Sequence, residues 1–476
     1  MIYQPTWNDV KSHPIPQWFR DAKFGIYTHW GIYSVPAKGP NVTWYPHNMY
    51  RPGTEQYEYH RKIYGGPETF GYKDFIPQFT GEKFDPEEWA ELFQRSGARY
   101  AGPVAEHHDG FAMWDTKYSE WNAARMGPRC DVVGLLEKAI RKQGLRFLTA
   151  FHHAENWWFY PHWIKAYDTS NPAYSGLYGA IHNPDGLLND EWFFNQDRPS
   201  KAFLDCWHAK MIEVLDRYQP DLVWFDFGLG GVPDQYKLQF LADYYNREAP
   251  WGKEVVVTYK HHDLAPGAGV VDLELGRMAE LTYYEWVTDS TVDDGEAWGY
   301  MKDATYKSPT TVIHYLIDNV SKNGHLLLNI GPGPDGSIPD PAKNILEEIG
   351  QWLSLNGEAI YGTAPWVCYG EGPGKITKSG SFNEKEVPSF TTADIRFTVK
   401  DRTLYAICLG LPTGPLTIKT LERLWAPEVE SVSMLGVDQE LTWSLSKNGM
   451  TITPPSQLPC DHAVVFKIKR GHVYAT

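Results

Sequence analysis

SKAFLDCWHAKMIEVLDRYQP at 200–220, followed at once by DLVWFDFG at 221–228, decides the fold. The first stretch reads as a helix. The second reads as an apolar strand that ends on an acid, Asp226, and a glycine. The same unit recurs along the chain. FDPEEWAELFQRSG (84–97) has an aspartate cap, an acidic first turn and a closing Gly97, and ARYAGPVAEHHDG (98–110) follows it as strand and loop. DVVGLLEKAIRKQG (131–144) leads into LRFLTAFHH (145–153), YKLQFLADYYNREAP (236–250) into EVVVTYKHH (254–262), and TTVIHYLIDNVSKNG (310–324) into HLLLNIGP (325–332). FGIYTHWG (24–31) opens the series. Repeated α and β units of this size imply parallel strands with crossover helices.

Two architectures produce such a series, a (β/α) TIM-like barrel and an open doubly wound sheet. His29, His107, His108, His152, Asp226, Lys260 and Asn329 all fall at or just past the C-terminal ends of these strands. In a barrel those ends ring one cavity, whereas an open sheet gathers its chemistry at a switch point. The distribution favours the barrel. Beyond Tyr361 the texture changes to short runs of period about 2 separated by turn residues: ITKSGSFN, DIRFTVKDRTLYAICLG, PLTIKTLERL, SVSMLGV, LTWSLSKNGMTITPP and HAVVFKIKR. The expected division is a catalytic barrel over 1–365 and an antiparallel β-sandwich over 366–476. The second domain is given a packing or accessory role, with carbohydrate binding as the alternative.

Composition narrows the function. A net charge of −15 repels phosphate backbones and anionic lipid, which argues against a nucleic-acid partner. No apolar run approaches the roughly 18 residues of a membrane span. Aromatic residues make up 15% of the chain, and many lie beside Gly, Pro, His or Asp, as suits surfaces that stack on sugar rings. Five widely spaced cysteines form neither a metal motif nor a disulfide framework, so they read as mostly free thiols. The N-terminus lacks a secretory pattern; a complete N-terminus implies the cytoplasm, and a removed signal the periplasm or secretion. Oligomeric state stays open.

Asp226, at the end of an apolar strand and close to Trp224 and Phe225, stands where a barrel presents catalytic groups. Hydrolysis of a glycoside needs a second carboxyl group in the opposite protonation state. Glu274 in VVDLELG is the first candidate and Glu285 in LTYYEWV the second. His29, His107 and His108 suit oriented hydrogen bonds to sugar hydroxyls better than zinc, because adjacent side chains on an extended run diverge and no HExxH is present. His152 and His153 stay divided between core and site. GPGPDG after HLLLNI is a rigid rim loop: its prolines remove amide donors, and no nucleotide fingerprint occurs in the chain. No cofactor and no metal is expected.

Taken together, FGIYTHWGIYSVP, the WY pair of NVTWYPHNMY, EHHDGFAMWD, DLVWFDFG, VVDLELG, EAWGYM and SKNGHLLLNIGPGPDGSIP resemble the alpha-L-fucosidases of glycoside hydrolase family 29. The resemblance runs from about Trp18 to Pro365, and the C-terminal part looks like that family's β-sandwich. It implies a retaining, exo-acting enzyme that removes terminal alpha-L-fucose from oligosaccharides or glycoconjugates without a cofactor. On this resemblance Asp226 is the nucleophile, and Glu274 is the acid/base. Trp224 and Trp44 line the pocket, and His29, His107 and His108 hold hydroxyls. Lys260 stands in the segment where many members carry a substrate-binding Arg. Thr43 replaces a Glu common before the WY pair, and Trp286-Val287-Thr288 replaces the usual Trp-Glu-Thr. These departures leave room for a different sugar specificity, or for a sugar-binding protein of weak turnover.

Overall fold

The computed structural model describes residues 2–181, 199–386 and 389–471. Eight strands close into a barrel in sequence order: β1 (Phe24–Thr28), β2 (Tyr100–Glu106), β3 (Arg146–Phe151), β4 (Leu222–Phe225), β5 (Val256–Lys260), β6 (Val270–Asp272), β7 (Trp286–Thr291) and β8 (Gly324–Ile330). Each pairs in parallel with the next, and β8 returns to β1 with Phe24 opposite Leu326 and Thr28 opposite Ile330. The barrel expectation holds.

The helices start where the sequence caps them. Asp85 accepts from the amides of Glu87 and Glu88, Asp131 from Gly134, Ser200 from Phe203 and Ser308 from Thr311. Each such cap satisfies a donor the helix cannot, worth about 1 kcal/mol. In the helix Lys201–Tyr218, Leu204, Trp207, Met211, Val214 and Leu215 recur every three or four residues and are buried against the outside of the barrel. The barrel interior is a separate apolar cluster that includes Tyr100, Leu148, Leu222, Val256 and Leu327. It is a filled core, so only the open C-terminal end can hold a ligand.

The C-terminal part is β-rich. Strands β9 (Ala364–Glu371), β10 (Ile395–Lys400), β11 (Thr403–Cys408), β13 (Val429–Met434) and β16 (Val464–Arg470) form an antiparallel sheet in the order β13-β16-β11-β10-β9. Strands β12 (Leu416–Ile418), β14 (Thr442–Ser446) and β15 (Gly449–Thr453) form a second, in the order β12-β15-β14. One buried cluster takes Phe397, Leu404 and Phe466 from the first sheet and Ile418, Met450 and Ile452 from the second. The five cysteines are unpaired. No helix among the described residues is long and apolar enough to cross a membrane.

The two parts are joined by a buried ion cluster. Asp318, on the helix Pro309–Ser321, accepts from Arg396 Nε of β10 at 2.7 Å and from Lys322 Nζ at 2.8 Å, with Arg277 at 3.8 Å. Burial alone would raise this carboxyl, but the three cations outweigh it and hold it well below its ordinary range.

Two elements differ from the sequence reading. The strand β7, WVTDST, was not anticipated, because Thr288, Asp289, Ser290 and Thr291 give it no apolar run. ITKSGSFN at 376–383, expected as a strand, forms none. Its backbone bonds go to the barrel instead of a sheet neighbour, and Phe382 takes a left-handed φ of 59° that breaks an extended path.

Candidate active site

His29 is the first residue past β1, His107 and His108 follow β2, His152 follows β3, and Asp226 follows β4. Lys260 ends β5, Glu274 lies two residues past β6, and Asp289 and Asn329 lie within β7 and β8. Barrel closure therefore brings these side chains to one end. They surround a cavity walled by His29, Trp44, His107, His152 and Trp224, with both Asp226 and Glu274 reaching it.

Asp226 is held from two sides. Its own N–H donates to the Phe151 carbonyl at 3.1 Å, which extends the β3–β4 ladder by one residue. His152 Nδ1 donates to Asp226 Oδ2 at 2.8 Å. His108 Nε2 stands 3.4 Å from the same oxygen, while its Nδ1 donates to the His152 carbonyl at 2.7 Å and is 3.4 Å from Glu155 Oε2. Since a carbonyl only accepts, Nδ1 keeps its proton, and Nε2 meets the carboxylate favourably when His108 is an imidazolium. Burial opposes that charge, but Glu155 and Asp226 outweigh it and raise the His108 pKa. Burial would likewise raise Asp226; the charges and hydrogen bonds of His152 and His108 overcome it and hold Asp226 well below the usual carboxylate range. Gly228, two residues on, has φ +105°, and a Cβ there would meet Glu155 Cγ at 2.4 Å. Glycine is therefore required for the turn that lets Glu155 approach.

Glu274 is in the opposite state. Burial, with help from the Asp289 and Asp226 carboxylates and against the Lys260 ammonium, pushes its carboxyl up to about 8. At neutral pH Asp226 is ionised and Glu274 carries a proton.

Lys260 explains how several acids coexist beneath them. Its Nζ donates to Asp289 Oδ1 at 2.6 Å and Asp272 Oδ1 at 2.8 Å, stands 3.5 Å from Glu274 Oε2, and lies 4.9 Å from the centre of the Trp224 ring. Asp272 also accepts from Trp224 Nε1 at 3.0 Å, and Asp289 from the Tyr27 hydroxyl at 2.9 Å. Burial disfavours the ammonium, but the surrounding carboxylates raise its pKa well above the ordinary value. Breaking such a buried pair costs about 3–5 kcal/mol, so this cluster fixes the Trp224 face and the Glu274 loop together.

His29 Nδ1 donates to Asn329 Oδ1 at 2.8 Å, and the Asn329 amide donates in turn to Thr291 Oγ1 and the Trp298 carbonyl. This orientation leaves Nε2 as the nitrogen His29 can offer a ligand. Burial, reinforced by neighbouring imidazoles, pushes His29 and His107 well below their ordinary pKa, so both are neutral. His29, His107 and His152 each bring a nitrogen within 4.8 Å of the others, and so do His108, His152 and the Asp226 carboxylate. These are the groups among the described residues that could hold a metal ion. In the second group the His152 Nδ1 proton points at Asp226 and offers no lone pair, whereas in the first His152 keeps the lone pair of Nε2, which makes no hydrogen bond.

Of the residues expected from sequence, His29, Trp44, His107, Trp224, Asp226 and Glu274 line the cavity. His108 and Lys260 do not: both are buried behind the wall, the first spending its nitrogens on Asp226 and His152, the second its ammonium on carboxylates. Their nitrogens meet the carboxyls of Asp226 and Glu274 from behind the wall. Glu285 is at the far end of the barrel, one residue before β7, where it pairs with Arg20 Nε at 3.2 Å. It cannot share a substrate with Asp226. His152 belongs to the site, whereas His153 stacks on Trp207. Thr43 lines the cavity and donates to Asn41 Oδ1 at 2.8 Å. Asp289, Tyr27 and Trp298 also reach the cavity and were not found from sequence. Glu155 was missed too, although an acid just after a histidine-bearing strand end was a usable signal.

The alpha-L-fucosidase family model matches residues 1–358, and the model of the alpha-L-fucosidase C-terminal domain matches 389–469. The chain belongs to the alpha-L-fucosidase family. Tissue alpha-L-fucosidase of Rattus norvegicus is 32% identical over 98% of this chain and 93% of its own length. Plasma alpha-L-fucosidase of Homo sapiens is 33% identical over 96% and 90%. The crystal structure of the Thermotoga maritima alpha-fucosidase in complex with fucose superposes with a TM-score of 0.78 at 30% identity, covering 98% of this chain and all of that one. The barrel and the C-terminal β-rich part both fall within the superposition on that fucosidase.

Proposed function

We propose that this protein hydrolyses terminal alpha-L-fucosyl linkages of oligosaccharides or glycoconjugates by double displacement, with Asp226 as nucleophile and Glu274 as acid/base. The observation that carries the reading is the split of protonation within one pocket, Asp226 held ionised and Glu274 held protonated. In the first step an Asp226 oxygen bonds the anomeric carbon, while the bond to the departing oxygen breaks and that oxygen takes the Glu274 proton. In the second, Glu274 accepts a proton from water, the water oxygen bonds the anomeric carbon, and Asp226 leaves as carboxylate.

The remaining residues serve these two. His29 and His107 are neutral and meet hydroxyls; Trp44, Trp224 and Trp298 give the sugar ring and its methyl group apolar walls. His108 and Lys260 are positioning residues that set the states of Asp226 and Glu274. We read 1–365 as the catalytic domain and 366–476 as a β-sandwich domain; the cluster shared by its two sheets supports this.

Release of nitrophenol from 4-nitrophenyl alpha-L-fucoside by the protein and by Asp226→Ala tests the reading. Turnover that collapses in the variant is expected. Turnover undiminished in the variant overturns the nucleophile, and none in the parent overturns the activity.

A further inference from the structure

On the fucosidase reading the fucosyl ring sits between Asp226 and Glu274, so whatever fucose is attached to lies on the side of Glu274, whose proton its oxygen takes. The loop that carries Glu274 is bonded to residues 380–384, which belong to the connection between β9 and β10 of the C-terminal part. Arg277 and Gly380 exchange backbone bonds of 3.1 and 3.0 Å. The Phe382 N–H donates to the Glu274 carbonyl at 2.7 Å, and those of Asn383 and Glu384 to the Leu275 carbonyl at 3.0 and 2.8 Å. Below them, the buried Glu384 side chain accepts from Lys307 Nζ at 2.7 Å and Ser290 Oγ at 2.8 Å. Lys385 pairs at 3.0 Å with Glu296, in the loop after β7 that continues to Trp298 of the pocket wall.

This clamp uses main-chain groups and the Glu384 carboxylate; it makes no demand on the side chain at 382. Yet that position holds a phenylalanine whose ring is 62% exposed, on a backbone of φ 59° that a glycine would adopt without strain. An exposed aromatic ring on a disfavoured backbone, at a residue whose N–H is bonded to the Glu274 carbonyl, is unexplained by packing, and such strain gathers where function requires it. Resting on the fucosidase reading, we propose that Phe382 is the platform of the leaving-group subsite, stacking on the apolar face of a sugar or on an aromatic aglycone. The β-rich part thereby supplies a specificity-determining residue to the barrel.

The test compares kcat/KM of the full chain and of Phe382→Ala on two donors whose leaving groups need little protonation. 4-Nitrophenyl alpha-L-fucoside has a ring to stack, and alpha-L-fucosyl fluoride has none. The expected result is a loss of about three- to tenfold on the nitrophenyl donor, carried mainly by KM, no change on the fluoride, and recovery with Phe382→Tyr. The alkaline limb of the pH profile stays in place, since Glu274 keeps its clamp. Unchanged turnover of both donors, or an equal loss on both, overturns the subsite. Absence of fluoride turnover by the parent overturns the fucosidase reading beneath it.

Discussion

Glu274→Gln is expected to stabilise the protein above neutral pH while disabling it. Burial and the nearby carboxylates push this carboxyl from an ordinary 4.5 up to about 8. A folded-state pKa above the unfolded one means that the folded chain holds the extra proton between those values, so stability falls as pH rises from 4.5 to 8 and the whole cost applies above. At about 1.4 kcal/mol per pH unit, that interval amounts to about 5 kcal/mol. The side chain is 15% exposed, and water reaching it through the pocket reduces this to about 2–5 kcal/mol. An unfolding entropy of about 2.1 cal/mol/K per residue makes this about 2–5 °C in Tm for 476 residues. Calorimetric melting of parent and variant from pH 5 to 9.5 is the assay. The two curves should nearly meet at pH 5 and separate toward pH 9, with the variant higher, while kcat/KM on a fucosyl disaccharide drops about 10²–10⁴-fold. A Tm difference that stays flat across this range would refute the claim that Glu274 is held protonated.

Lys260→Met leaves Asp272, Asp289 and Glu274 without their shared cation. It should destabilise by about 3–5 kcal/mol and move the alkaline limb of kcat/KM upward from about 8, read by melting and by a pH–rate profile. Glu384→Ala strands the buried Lys307 and loosens the clamp on the Glu274 loop, so activity on the nitrophenyl and disaccharide donors should fall together with Tm. Exhaustive chelation should leave kcat/KM unaltered, because the proposed double displacement runs on the Asp226 and Glu274 carboxyls alone; lost activity restored by a divalent ion would contradict it.

What the sequence disclosed follows from how local each signal was. The apolar strands and capped helices carry their own pattern, and Asp226 announced itself as an acid closing an apolar run. Strand β7 did not, since it faces both barrel and site with Thr288, Asp289 and Ser290 and is held by its neighbours' ladders instead of by its own apolar residues. Glu274 and Glu285 look alike in a string of letters, but β7 begins just after the second, so the barrel places them at opposite ends. His108 and Lys260 have the residue types of ligand contacts; only the three-dimensional positions of Glu155, Asp272 and Asp289 turn them inward. The 380–384 clamp was invisible because its bonds span about a hundred residues and involve main-chain atoms that no side-chain pattern marks.

The most direct measurement is to trap the covalent species with a 2-deoxy-2-fluoro-fucosyl fluoride, whose slowed second step lets the fucosyl-enzyme accumulate, and to map the label by peptide mass. One fluorofucosyl group on the Asp226 carboxylate, absent from Asp226→Ala, is the expected finding. A label on any other residue, or a protein that consumes the reagent without becoming labelled, would contradict nucleophilic attack by Asp226.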